Sequence, residues 1–263
     1  MAQTVIRGSV NDIKTNQELS FVNIGVKGKS LGSVSREDGS FSIKITPHLK
    51  NDTLTFSYVG YEPQSWPINK LIRKESIQIL LSPKSLELEE LVISGGKGKQ
   101  HRLGRKSQVP FIWGWAESDS SAFDVLEVAK PFRLKNRSMH IESVNIFLKE
   151  VSTTHATFRV KFYKYSENKP DRLLFEKNII KSTAIENGWL SIDLTDYDIY
   201  LSEDFVVSIE FFPSDIDNKH ISFWYGGQFG GRAFKRIHSL DNWKVTKGLT
   251  YALYIDGVSY KNN

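Results

Sequence analysis

The sequence has no cysteine in its 263 residues. This excludes disulfides, thiolate zinc sites, cysteine nucleophiles and a lipidated N-terminal cysteine in the chain as given. It also has no run of 18 apolar residues, so no transmembrane helix is expected. The longest apolar stretches, such as FVVSIEFF, have the length of a strand. The start, Met-Ala-Gln-Thr, shows neither a basic n-region nor an apolar h-region. No GxSxG elbow is present. The six histidines, His48, His101, His140, His155, His220 and His238, form no pair at metal-ligand spacing. The segment Gly95-Gly96-Lys97-Gly98-Lys99 lacks the frame of a phosphate loop and no helical pattern follows it. No cofactor and no metal are expected, and a catalytic role is not expected.

What is present is alternation. Hydrophobic residues make up 40% and aromatic residues 12% of the chain, enough for well-filled cores. In FSIKI, Phe41, Ile43 and Ile45 share one face against Ser42 and Lys44. In TLTFSYVGY, Leu54, Phe56 and Tyr58 fall at period two. Such alternation buries one face of a strand and wets the other. Turn signals separate the runs: Asn11-Asp12, Gly28, Asp38-Gly39, Asn51-Asp52 and Gly60. Their spacing is that of a small β-sandwich. Asp38-Gly39 closes a hairpin in which glycine supplies a positive φ. Val59-Gly60-Tyr61 marks a bulge or close turn.

The order GSVND, LSFVNIGVKGKSLGSVSREDGSFSI, DTLTFSYVGYE and SLELEELVIS resembles the carboxypeptidase regulatory-like domain. The resemblance runs from Val5 to about Ser94. It implies a prealbumin-like, seven-stranded β-sandwich without catalytic residues. It also implies a setting in the cell envelope of Bacteroidetes-type bacteria, where such domains open many TonB-dependent outer-membrane receptors. In those receptors a plug and a transmembrane barrel follow. The residues after LEELVIS are too few for a barrel of that kind, so a transporter is not expected. With an envelope setting, Met1 is read as standing where an exported precursor carries its signal peptide, and the location expected is periplasmic or outer-membrane-associated.

The net charge of +5 is uneven. Residues 1–83 hold ten Lys or Arg against seven acids, residues 84–110 six against three, and the rest nineteen against twenty. In GKGKQHRLGRK, the bases Lys97, Lys99, Arg102, Arg105 and Lys106 occur without an acid. They are candidates for electrostatic contact with anionic lipid, lipopolysaccharide or an acidic partner. The glycines and strong polarity of the same stretch favour the alternative, a solvated, flexible linker. Residues Gly95 to Gln108 are expected to be mobile and to be the first site of tryptic cleavage. The organisation expected is therefore a sandwich over 1–83, a linker over 84–110 and a second domain over 111–263.

From Phe111 the alternation returns in FIWGWA, HIESVNIFLKEV, ATFRVKFYKYSE, RLLFEKNII, GWLSIDL, DFVVSIEFF, HISFWYGG and TYALYIDG. These runs predict nine to ten strands, and Ser120–Lys130 reads as a short helix. An all-β, jelly-roll-like sandwich accommodates them. The pattern also resembles jelly-roll or galactose-binding-like modules of secreted bacterial proteins, which implies sugar binding, calcium binding or a spacer role. A sugar site would stack on aromatic rings beside polar groups. Candidates are Trp224, Tyr225, Arg232, Asp241 and Trp243, with Trp113, Trp115 and Asn242. The plain alternative is that these aromatics fill a core, and that reading is preferred for Trp189. Glu117, Asp119 and Asp124 are candidate calcium ligands, or solvated loop acids. Asp193 with Asp196, and Asp215 with Asp217, are candidate acid/base pairs, or turn residues.

Together these features predict a non-catalytic envelope accessory protein that binds or braces an outer-membrane or periplasmic protein assembly, with glycan or lipopolysaccharide as further candidate partners. A carbohydrate-binding module is the first alternative and a glycan-active hydrolase the second. A nucleic-acid partner is not expected.

Overall fold

The computed structural model describes residues 4–85, 98–117, 124–212 and 222–261. The chain divides into two compact units. The first comprises Met1–Leu86 with Ser118–Leu126 and Arg236–Asn242, and the second Glu87–Glu117, Glu127–Lys235 and Trp243–Asn263.

The first unit contains seven strands: β1 (Thr4–Asp12), β2 (Asn23–Gly25), β3 (Gly32–Val34), β4 (Ser40–Ile45), β5 (Thr53–Ser57), β6 (Gln64–Pro67) and β7 (Ile77–Leu81). They form two sheets, β4-β1-β7 and β3-β2-β5-β6. Strand β1 runs antiparallel to β4 and parallel to β7. The alternation seen in the sequence places Phe41, Ile43 and Ile45 inside, with Ile6 and Val10 of β1 and Leu54 and Phe56 of β5. Phe41 and Phe56 meet across the two sheets edge to face, with centroids 5.3 Å apart. This is the expected seven-stranded sandwich.

Glycines act at two points in this unit. Gly39 has φ +72°, and the Ser40 N–H donates to the Asp38 carboxylate at 2.9 Å, so the Asp-Gly hairpin forms as read. At Gly8 a Cβ would lie 1.9 Å from the Ile77 carbonyl oxygen, so only glycine lets β1 and β7 approach. Asp12 ends β1 as a turn acceptor. Its carboxylate takes the N–H of Lys14 and Thr15 and the Tyr61 hydroxyl. These bonds, that of the Thr15 N–H foremost, hold its carboxyl below the usual range.

Two later segments fall in this first unit, not in the second domain expected from the sequence. Their ties explain it. The Asp124 carboxylate accepts the Ser239 N–H and hydroxyl at 3.0 and 2.7 Å, and the Asn23 amide donates to the Ser239 hydroxyl at 3.2 Å.

The second unit contains thirteen strands among the described residues; twelve of them lie from Val109 onward, where nine to ten were expected. They are β8 (Lys99–Leu103), β9 (Val109–Glu117), β10 (Leu126–Phe132), β11 (Arg137–Lys149), β12 (His155–Ser166), β13 (Lys169–Leu173), β14 (Ile179–Ala184), β15 (Gly188–Asp193), β16 (Ile199–Leu201), β17 (Phe205–Phe212), β18 (Ser222–Arg236), β19 (Lys244–Tyr251) and β20 (Leu253–Lys261). Their pairings form one continuous system with the main order β13-β12-β17-β10-β18-β11-β20-β8. The architecture is all-β and sandwich-like, as expected. No helix among the described residues is long and apolar enough to cross a membrane.

Two local readings change. Leu126–Phe132 is a strand, not part of a helix. It lies between β17 and β18, and nearly all its residues are buried, so both of its faces are covered. The stretch read as a mobile linker contains β8, which pairs with β20 from Lys99↔Ser259 to Leu103↔Ile255.

Strands β12 and β17 are neighbours in the main order. Their register pairs Phe158 with Phe211, Val160 with Ile209 and Phe162 with Val207 on one face. All six side chains are buried. The opposite face pairs Arg159 with Glu210, Lys161 with Ser208 and Tyr163 with Val206. It too is buried.

Candidate functional site

The basic segment is held in place and partly spent on internal contacts. Lys97 lies outside the described residues. Lys99 and Arg102 are exposed on β8, the last strand of its sheet. Arg102 donates two hydrogen bonds to Asp256, at 2.7 and 2.9 Å, and lies 4.4 Å above the Tyr254 ring. The Asp256 carboxylate raises the Arg102 pKa further. An exposed pair of this kind contributes at most about 1 kcal/mol, so its main effect is to orient the guanidinium.

Beyond β8 the chain is fixed through Gln228. The Gln228 amide donates to the carbonyls of Arg105, at 2.8 Å, and Ser107. In turn the buried Lys130 ammonium donates to Gln228 Oε1 at 3.0 Å and to the carbonyls of Tyr251 and Leu253 at 3.1 and 2.7 Å. Arg105 Nη2 donates to the Phe229 carbonyl at 3.0 Å. The expected mobility therefore does not hold for residues 98–108, where strand pairing and a side-chain clamp replace solvation. Residues 86–97 of the same stretch lie outside the described residues.

Beside this clamp stands an aromatic pair open to solvent. Phe111 is 69% and Phe229 56% exposed, the two most exposed large apolar residues described. Their rings meet edge to face at 6.3 Å. Arg105 and Lys106, both exposed, belong to the same clamped segment. Two adjacent phenyl rings in water with a basic flank form the kind of apolar centre and polar rim that recognition surfaces use.

Several of the described residues read as a sugar site are engaged in packing or internal hydrogen bonds. Tyr225 is fully buried among Phe223 and Tyr251, and burial drives its hydroxyl pKa strongly upward. Trp243 packs against Tyr163 at 5.9 Å and Phe234 at 6.4 Å, on a buried cluster. Trp224 is half-buried on β18 opposite Lys149. Asp241 belongs to the first unit, where its carboxylate accepts the Ser30 hydroxyl and the Asn242 N–H. Asn242 donates to the Gly28 carbonyl at 3.3 Å. Trp189, for which a core role was preferred, is half-buried and packs on Phe147 and Tyr254. The side chains of Trp113 and Trp115 lie outside the described residues. Arg232 lines a cleft of about 280 Å³ with Pro131, Arg133, Tyr165 and Gly231.

Of the candidate calcium ligands, Asp124 is bonded to Ser239 and lies 3.1 Å from His238 Nδ1. Asp119 and the Glu117 side chain lie outside the described residues. Of the acid/base candidates, Asp193 is exposed and caps a turn, accepting the N–H and hydroxyl of Thr195 at 3.0 and 2.8 Å. These bonds lower its pKa. Asp196 is exposed in the same turn. Asp215 and Asp217 lie outside the described residues.

The structure also assembles a group that alternation alone conceals. On the second buried face of β12 and β17, Glu210 accepts from Arg159 at 2.9 Å and Lys161 at 2.8 Å. Glu127 of β10 accepts from the Ser208 and Tyr163 hydroxyls at 2.6 and 3.3 Å and lies 3.7 Å from the Lys161 ammonium. The sequence signal is in FVVSIEFF. Val206 and Phe212 are apolar on the same face as Ser208 and Glu210, which marks a strand covered on both sides.

Comparison with known proteins concerns chiefly the first unit. The chain is 27% identical over 93 residues, 35% of its length, to the TonB-dependent receptor SusC of Bacteroides thetaiotaomicron. It is 35% identical over 81 residues, 31% of its length, to the TonB-dependent receptor P39 of Formosa agariphila. It spans 8% of the length of the first relative and 7% of the second. Among solved structures, a clostridial cysteine protease, Cwp84, aligns over 99% of this chain and 72% of its own at 9% identity, with a TM-score of 0.40. Residues 6–93, which hold the seven-stranded sandwich, match the CarboxypepD_reg-like domain family.

Proposed function

We propose that this chain is a non-catalytic accessory protein of the cell envelope that binds an outer-membrane or periplasmic protein carrying an acidic surface. The observation behind this reading is the solvent-facing pair Phe111 and Phe229 beside Arg105 and Lys106. The rings supply an apolar anchor, and the basic flank selects acidic partners and speeds encounter. The clamp through Gln228 and Lys130 fixes the flank before binding, which lowers the ordering cost. The outer edge of β8 adjoins as a second element, and its charges, Lys99 and Arg102, guard it against indiscriminate strand pairing. The envelope setting rests on the likeness of the first unit to TonB-dependent receptors. The test is co-purification from native membranes of wild-type protein and of the Phe111→Ser, Phe229→Ser double variant. A membrane protein retained by the wild type and lost by the variant supports the reading, and equal recovery by both contradicts it.

A further inference from the structure

The cleft lined by Pro131, Arg133, Tyr165, Gly231 and Arg232 lies within the second unit, and none of these residues is among those assigned to the surface just described. Its shape depends on an interruption of β18. The register with β19 shifts between Phe229 and Arg232, where Gly230 and Gly231 adopt φ of +88° and +79°. Two residues in that region of φ favour glycine, and such a bulge re-aims the side chain that follows it. Here that side chain is Arg232, brought to the same cleft as Arg133 of the segment after β10. No ion pair engages either guanidinium among the described residues. Like charges sharing a cleft repel, and an oxyanion between them removes that cost. Guanidinium groups match a carboxylate or phosphate with paired donors.

The other walls are of different chemistry. Pro131 and Tyr165 present ring carbons, and Tyr165 is held from behind by Phe234, 6.4 Å away edge to face. At about 280 Å³ the cleft sits at the lower end of the ~300–1,000 Å³ typical of ligand sites. That volume suits one ring-sized unit, not several residues of a peptide. Two cations beside the rings of Tyr165 and Pro131 fit an anion carried on a ring with an apolar face, and an acidic sugar has that form. We infer that the Arg133–Arg232 cleft binds a single acidic saccharide unit, its carboxylate or phosphate between the two guanidinium groups and its ring against Tyr165 and Pro131. This inference stands apart from the protein-binding surface, and either can fail alone.

The test is titration calorimetry on the full chain with four probes: glucuronate, glucose 6-phosphate, glucose and inorganic phosphate. The expected result is saturable binding of glucuronate or glucose 6-phosphate, at least about tenfold tighter than glucose and inorganic phosphate, a gap of about 1.4 kcal/mol. Which of the two acidic sugars binds more tightly identifies the source of the anion. The Arg133→Gln, Arg232→Gln double variant is expected to bind the acidic sugar at least tenfold more weakly while melting like the wild type. Should that variant fold poorly, the single variants Arg133→Gln and Arg232→Gln are each expected to weaken binding of the acidic sugar, and the four-probe comparison on the wild type still decides. Inorganic phosphate binding as tightly as the sugar acids would reduce the site to a bare anion site and overturn the saccharide. Glucose binding as tightly would remove the role of the arginines. No binding of any probe, or unchanged binding in folded variants, overturns the inference. An acidic peptide that displaces the sugar acid and binds more tightly would also overturn it.

Discussion

The Arg159 guanidinium and the Glu210 carboxylate meet at 2.9 Å where neither side chain retains any exposed surface. They stand on neighbouring strands at paired positions, with Lys161 reaching the same carboxylate. Burying charge is costly, and only mutual satisfaction offsets it. Removing one partner leaves the other desolvated and uncompensated. Arg159→Ala is expected to lower stability by about 3–5 kcal/mol, measured by urea unfolding. Replacing Arg159 by Met and Glu210 by Leu together is expected to cost clearly less than the sum of the single changes. Additive costs would show that the pair is not coupled.

Lys130 gives the protein a pH dependence of defined sign. Burial, with Arg105 nearby, pushes its pKa down to about 8 from the ordinary 10.5. Between these values the unfolded chain binds more protons than the folded one, so stability rises with pH from about 8 upward. The full effect is roughly 3 kcal/mol. Above about pH 10 unfolded tyrosines ionise while Tyr61, raised to about 12 chiefly by burial, stays protonated in the fold, and stability falls again. Thermal unfolding from pH 7 to 10 is expected to show the rise in the wild type and not in Lys130→Met. The same slope in both proteins would contradict the assignment to Lys130.

Trp243 distinguishes a core role from a sugar platform. Its ring packs edge to face on Tyr163 and Phe234. Because it is half-buried, Trp243→Ala is expected to cost about 2–3 kcal/mol, somewhat less than a fully buried Trp. Denaturant unfolding measures this. A variant of unchanged stability that loses glycan binding would restore Trp243 as a ligand contact.

The segment around β8 is expected to exchange slowly. Its amides bonded to β20 should be protected against deuterium exchange in the free protein, and Gln228→Ala should loosen residues 105–107 selectively. Exchange of the paired β8 amides as fast as in an unfolded peptide would return the segment to the status of a linker.

The first sandwich was legible because each strand wets one face. Phe41, Ile43 and Ile45 announce their own burial, and Asp38-Gly39 announces its turn. The second unit was harder to read for a physical reason. Where both faces of a strand are covered, charge no longer marks the outside. Arg159 and Lys161 alternate with Phe158, Val160 and Phe162 as solvent-facing residues would, yet they are buried because Glu210 and Glu127 meet them from other strands. Likewise GKGKQHRLGRK has the composition of a linker, and from Gly98 onward its order comes from distant residues: Asp256, Gln228 and the backbone of β20. Tyr225 and Trp243 carry aromatic rings suited to a sugar, but ring type alone does not say which side of a sheet they occupy. Phe111 and Phe229 are 118 positions apart in sequence, and no local pattern pairs them.

The central claim is that the Phe111–Phe229 surface receives a protein partner. Its most direct test places a photo-crosslinking amino acid at position 111 or 229 in protein produced in its native cells. The account expects a discrete crosslink to an envelope protein at both positions, absent when the probe replaces the exposed Lys70 of the first unit, and weakened by Arg105→Glu, which reverses the charge beside Phe229. No crosslink at either position, or a product of the same mass and yield from position 70, would contradict it.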